Sequence, residues 1–107
     1  MELATNTEKL SLEQNLQGKT ALITGASSGL GVRFARVLAA AGARVIITAR
    51  RADRLADLAE QITKADGQVL NETLDVSQLE ALPDFYDSLN ARGWMPDILV
   101  NNAGMNI

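Results

Sequence analysis

The segment Thr24-Gly25-Ala26-Ser27-Ser28-Gly29-Leu30-Gly31 directly follows the apolar run Ala21-Leu22-Ile23 and opens onto a helical pattern. It reads as strand, glycine turn, helix. A helix N-terminus leaves backbone N–H groups unpaired and carries partial positive charge. Glycines beside it remove side chains that would hold a phosphate at a distance, so the combination forms a pyrophosphate site. Gly25 lets the chain leave the strand in a tight turn. Gly29 lets backbone approach the pyrophosphate, and Gly31 lets the helix pack closely on the strand. Ser27 and Ser28 can cap the helix or donate hydroxyls to phosphate. Three glycines alone suit an ordinary strand-to-helix turn equally well. Here a strand precedes, an amphipathic helix follows and a second strand comes next, and that context favours the phosphate site.

Gly18-Lys19-Thr20, just upstream, imitates the end of a P-loop. That motif needs a glycine five positions before its last one, where this chain has Glu13, and it must follow a strand rather than precede one. A nucleotide triphosphatase is rejected on both counts.

The chain has 107 residues, room for one small domain with a modest core. Hydrophobic residues make up 47%, which suits a globular α/β protein. Ten basic against thirteen acidic residues give a net charge of −3, which argues against a nucleic-acid surface. Without cysteine there is no disulfide and no thiolate metal site. Without histidine there is no serine-histidine triad and no imidazole metal site. No apolar run approaches the roughly 20 residues of a membrane span. Met1-Glu2-Leu3-Ala4-Thr5 lacks the features of a signal peptide, so cytoplasm is the expected compartment.

Residues 1–15 read as a polar tail, and residues 16–107 as a partial dinucleotide-binding domain. The first strand spans Thr20–Thr24. In the first helix Leu30, Phe34, Val37, Leu38 and Ala41 share a face, and Gly42 stops it in a left-handed conformation. Val45-Ile46-Ile47-Thr48 is a second strand, apolar throughout as in a parallel sheet covered on both faces. The second helix carries Leu55, Leu58, Ala59 and Ile62 and ends at Gly67. Residues 69–74 form a third strand, expected at an edge because Asn71, Glu72 and Thr73 interrupt it. Ser77-Gln78-Leu79-Glu80 reads as a capping box for a third helix, which Pro83 should kink or restart. Ile98-Leu99-Val100 is the fourth strand. The alternation implies an α/β fold: a Rossmann-type doubly wound parallel sheet, truncated after the fourth strand, in order 3-2-1-4. A ligand should sit beyond the carboxyl ends of strands 1 and 4. The glycine turn and Asn101-Asn102-Ala103-Gly104 converge there.

Thr24-Gly25-x-x-x-Gly29-x-Gly31, Asp75 after strand 3 and Asn101-Asn102-Ala103-Gly104 after strand 4 together resemble the short-chain dehydrogenase/reductase family over residues 16–107. The resemblance implies an oxidoreductase passing hydride between a nicotinamide cofactor and a small-molecule alcohol or carbonyl substrate, in a parent enzyme that is a homo-oligomer without membrane or nucleic-acid partners. It implies that Gly25, Ser27, Ser28, Gly29, Leu30 and Gly31 line the phosphate and ribose region. By the same token Asp75 and the backbone of Val76 contact adenine, against the alternative of a turn aspartate. Asn102, Ala103 and Gly104 flank the ribose near the nicotinamide, although Asn101 or Asn102 can equally tie strand 4 to its neighbours.

Cofactor choice is legible in charge. An NAD enzyme places Asp or Glu at the end of strand 2, about 20 residues beyond the glycines. Here Ala49 stands there, followed by Arg50-Arg51. A carboxylate would repel a 2′-phosphate, whereas a guanidinium grips it through two hydrogen bonds. Arg50 matches the family's mark of NADP users, with Ser27 as helper; two solvated arginines are the alternative. NADP is expected over NAD.

The family's Ser and Tyr-x-x-x-Lys catalytic groups have no counterpart in these residues. Tyr86 has Asn90 at the fourth position, no lysine follows Lys64, and the sequence stops three residues after Gly104. Tyr86 fits a core or rim position on helix 3. The chain is expected to be the amino-terminal fragment of an NADP-dependent enzyme, inactive alone, with no catalytic and no metal-binding residue of its own. A standalone module for the adenosine-phosphate half of NADP and a truncated product without function are the alternatives.

Overall fold

The computed structural model describes residues 15–27 and 29–102, apart from the side chains of residues 52 and 54. The tail expected over 1–15 lies outside it except at its last residue. Among the site candidates, Ser28, Ala103 and Gly104 lie outside it too. The elements run β1 (Thr20–Thr24), α1 (Gly29–Ala40), β2 (Arg44–Ala49), a 3₁₀ turn (Ala52–Leu55), α2 (Ala56–Lys64), β3 (Val69–Thr73), a second 3₁₀ turn (Leu79–Ala81), α3 (Leu82–Ala91) and β4 (Ile98–Asn101). The four strands form one parallel sheet in the order β3-β2-β1-β4. The registers pair Ile23 with Ile47 and Val100, and Ala49 with Thr73.

Both central strands are apolar because both of their faces are covered. Side chains alternate across a strand. Ala21, Ile23, Val45 and Ile47 pack with Ala35 of α1 and with Leu58 and Ile62 of α2. Leu22 and Ile46 point the other way and meet Phe85 and Leu89 of α3. Ile23 and Ile46 are fully buried, each worth about 1.5–3 kcal/mol of transfer free energy. β3 takes one edge of the sheet, as its polar residues required. Arg92, just past the end of α3, fastens it by pairing both guanidinium NH2 groups with the Glu72 carboxylate at 3.2 and 3.3 Å.

Several local expectations need correction. Val37 is half-exposed, whereas Phe34 and Leu38 pack on the core and Ala41 is buried as expected; Gly31 and Ala35 add the buried positions of α1, a small-residue stripe that lets the helix sit close to the sheet. Leu55, fully buried, ends the 3₁₀ turn instead of lying within α2. The left-handed residue after α2 is Asp66, at φ 67°, and Gly67 follows it. Gly67 is required for space: a Cβ there would lie 2.6 Å from Ile62 Cγ2. Ser77 is no capping residue, since its hydroxyl is committed to Asp75 and Gln78 precedes the 3₁₀ turn without a side-chain cap. Pro83 stands in the first turn of α3, where its missing N–H costs nothing, so the helix starts there rather than kinking. Gly42 does adopt the left-handed conformation, at φ 100°. No helix among the described residues is long and apolar enough to cross a membrane.

Candidate cofactor site

Parallel pairing puts the carboxyl ends of all four strands on one edge of the sheet. The glycine turn leaves β1 there, Arg50 leaves β2, Asp75 follows β3, and Asn101-Asn102 close β4. The helices after β1 and β3 lie on opposite faces, so the ends of β1 and β4 are the point where the strand order reverses, the place such folds use for ligands.

The turn after β1 is held from three sides. Gly25 has φ 65°, a left-handed conformation that glycine adopts without steric cost. The next N–H, from Ala26, donates to the Thr48 carbonyl oxygen of β2 at 2.9 Å. From β4, the buried Asn102 amide donates from Nδ2 to the Gly25 carbonyl oxygen at 2.9 Å. A Cβ on Gly31 would fall 2.5 Å from that same oxygen and 2.8 Å from both Ala26 Cα and Asn102 Nδ2. Such distances are well inside van der Waals contact, so only glycine allows α1 to start this close to the turn. Gly29 differs: a Cβ there would meet nothing within 4 Å. The first turn of α1 carries no acidic side chain. The helix therefore presents an N-terminus without negative charge toward open space, as an anion requires. Ser27 is exposed beside it, and Leu30 is half-buried.

Two threonines that sequence reasoning passed over complete the support. Thr24 Oγ1 accepts from the Asn102 N–H at 3.0 Å and donates toward Asn101 Oδ1 at 3.1 Å, which knots β1 to β4. Thr48 Oγ1, fully buried, donates to the Ile23 carbonyl oxygen at 3.2 Å. The signal was present: each threonine ends an apolar strand run, and a buried hydroxyl must find a partner. Of the two roles open to Asn101 and Asn102, the structure displays the tie between strands.

On the β2 side, Ala49 is buried and Arg50 exposed. Arg51 lies 3.8 Å from Asp53, both side chains being largely exposed. Arg50 makes no hydrogen bond or ion pair among the described residues, so its guanidinium is available at this edge. Asp75 Oδ1 accepts from the Ser77 hydroxyl at 2.6 Å and from the Ser77 N–H at 3.0 Å. These bonds, aided by the Arg50 charge, hold its carboxyl below the usual aspartate value. The side chain of Val76 packs against the Leu22–Ile46 core, leaving its backbone for any contact with a ligand. Tyr86 is half-buried on α3 and meets Phe85 edge-to-face, ring centroids 5.6 Å apart, which agrees with a core-rim position.

The model of the family described as short chain dehydrogenase matches residues 19–107. The chain belongs to the short-chain dehydrogenase/reductase family. It corresponds to the amino-terminal half of that family's fold. A fatty acyl-CoA reductase of Acinetobacter baylyi is 38% identical over 94 residues, 88% of this chain and 32% of the relative. An NADP-dependent 3-hydroxy acid dehydrogenase of Schizosaccharomyces pombe is 41% identical, over 84% of this chain and 36% of the relative. Among solved structures, a metagenomic short-chain oxidoreductase in complex with NADP superposes with a TM-score of 0.79 at 39% identity, covering 84% of this chain and 41% of that one. The chain spans about a third of the length of the curated relatives it matches.

Proposed function

We propose that this chain is the NADP-binding, amino-terminal part of a short-chain oxidoreductase that transfers hydride between NADP(H) and an alcohol or carbonyl substrate. The uncommitted Arg50 after the small Ala49, on the same sheet edge as the glycine turn, carries the reading. The cradle fits the cofactor. Gly31 excludes a side chain, Gly29 opens on empty space, and the start of α1 is free of acidic groups. Relatives support it, since one is named NADP-dependent and another was solved with NADP.

In this reading the backbone from Gly25 to Gly31 and the hydroxyls of Ser27 and Ser28 hold the pyrophosphate. Arg50 grips the 2′-phosphate through its paired N–H donors, and Asp75 with the Val76 backbone receives adenine. Asn102, whose side chain anchors the Gly25 carbonyl, shapes the ribose side with Ala103 and Gly104. When bound, NADPH would supply the hydride, and the residues here would hold and orient it.

Calorimetric titration of NADP and NAD tests the assignment. Arg50→Ala should weaken NADP by about 1–3 kcal/mol, the range for a lost charge-assisted contact, and leave NAD nearly unchanged. Ala49→Asp should shift preference toward NAD. Equal losses for both cofactors in Arg50→Ala would remove Arg50 from the site.

A further inference from the structure

Arg50 and Asp75 follow neighbouring strands at the same edge of the sheet, Asp75 one residue further past the shared register. Ala49 pairs with Thr73, and the Leu74 N–H donates to the Ala49 carbonyl oxygen at 2.9 Å. One residue beyond Ala49 is Arg50, and one beyond Leu74 is Asp75. The two side chains lie outside ion-pairing distance of each other, yet within range for the Arg50 charge to act on the Asp75 carboxyl. Arg51 and Asp53 face each other and largely cancel. Glu72 is paired with Arg92. Neither Arg50 nor Asp75 has an ion-pair partner among the described residues.

Asp75 is also not free to swing away. Its Oδ1 is held by both the hydroxyl and the N–H of Ser77. A dianionic 2′-phosphate seated on Arg50 would meet a fixed negative charge from the adjacent strand end.

We propose that Asp75 is a second determinant of cofactor choice: its carboxylate, fixed by Ser77 at the end of β3, opposes the 2′-phosphate that Arg50 attracts at the end of β2. The preference for NADP is then weaker than Arg50 alone would make it. The inference rests on the reading of Arg50 as the 2′-phosphate site. It assigns Asp75 an effect that its contact with adenine does not contain, because adenine is common to NADP and NAD.

The test is the ratio of affinities for adenosine 2′,5′-bisphosphate and 5′-AMP, measured by calorimetry on the full chain. The two ligands differ only in the 2′-phosphate, so contacts to adenine and to the 5′-phosphate cancel in the ratio. Asp75→Asn keeps an oxygen for Ser77 and removes the charge. It should raise the ratio about threefold to fivefold at low salt, with the gain shrinking at high salt. Asp75→Ser, which also keeps a turn-forming oxygen, should act in the same direction. Arg50→Ala should collapse the ratio. If Arg50→Ala does so while both Asp75 variants leave the ratio unchanged or lower it, Asp75 is an adenine or turn residue only, and this inference fails alone. If Arg50→Ala leaves the ratio unchanged, or if the chain binds neither ligand, the NADP reading fails and takes this inference with it.

Discussion

Gly29 and Gly31 are two residues apart and respond to the same methyl group in opposite ways. At Gly31 the new Cβ would press on the backbone of Gly25 and Ala26 and on a buried amide. Gly31→Ala should destabilise the fold by about 1–3 kcal/mol, the usual cost of overpacking. At Gly29 the Cβ enters open space, so Gly29→Ala should leave the unfolding free energy within about 0.5 kcal/mol of the parent. It should still weaken NADP binding, since the methyl occupies the approach to the phosphate. Paired denaturation and binding curves check both outcomes; intact binding in Gly29→Ala would remove the phosphate from this turn. Asp75 makes a prediction in pH. Its folded carboxyl lies below the ordinary value of 3.8, so its contribution to stability is present above that value and lost as pH falls through the depressed folded value. Carboxyl-carbon NMR titration should show Ser77→Ala moving Asp75 back upward, because the Ser77 hydroxyl bond is the largest cause of the shift. No movement would mean that the bond is not formed in solution.

At the scale of elements, strand reading succeeded and helix ends were harder. The apolar runs in β1, β2 and β4 are short and unambiguous; in β1 and β2, covered on both faces, apolar residues are needed at nearly every position. Helix ends depend on single hydrogen bonds that compete. Ser77 and Glu80 have the spacing of a capping box, yet the Ser77 hydroxyl bonds Asp75 two residues back, which a linear pattern cannot rank. After α2 the obvious stop was Gly67, but the left-handed position is one residue earlier, at Asp66. There the Gly67 N–H bonds the Ile62 carbonyl oxygen at 2.8 Å and closes the helix. A left-handed residue with a Cβ carries strain of about 1–2 kcal/mol, offset in a glycine variant by about 0.5–1 kcal/mol of unfolded-chain entropy. Asp66→Gly should therefore stabilise the chain by roughly 0.5–1 kcal/mol in urea denaturation. A loss of stability would show that the Asp66 side chain contributes more than its backbone strain costs.

For the whole molecule, the order β3-β2-β1-β4 leaves two unlike edges. β3 carries polar residues and is fastened by the Glu72–Arg92 pair. β4 is short and apolar, Leu99 is 55% exposed, and no strand covers its outer edge among the described residues. Unpaired backbone beside an apolar side chain is a template for another strand. The 107-residue chain should self-associate with rising concentration, and Leu99→Lys should suppress this, because a charge on an edge strand opposes pairing. Light scattering over a concentration series reads both. A chain that stays monomeric, or a Leu99→Lys variant that associates just as readily, would show that this edge is not the contact.

The sequence by itself determined the alternation of elements, the parallel sheet with its order and the grouping of glycine turn, Arg50, Asp75 and Asn102 at one edge. Those follow from periodicity and from the handedness of crossovers, which act on every residue of an element at once. The tertiary structure alone decided which small residues are sterically compulsory. Gly31 and Gly67 abut backbone or a neighbouring side chain, whereas Gly29 does not; the motif position already assigned Gly31 to packing and Gly29 to the ligand, but not the contacts that enforce it. The tertiary structure also decided that Thr24, Thr48 and Asn102 join β1 to its neighbours on either side, and that Ser77 serves Asp75 instead of a helix. The physical reason is the same in each case. A hydrogen bond or a steric contact depends on distances between atoms far apart in the chain or in competition with one another, and only folding sets those distances.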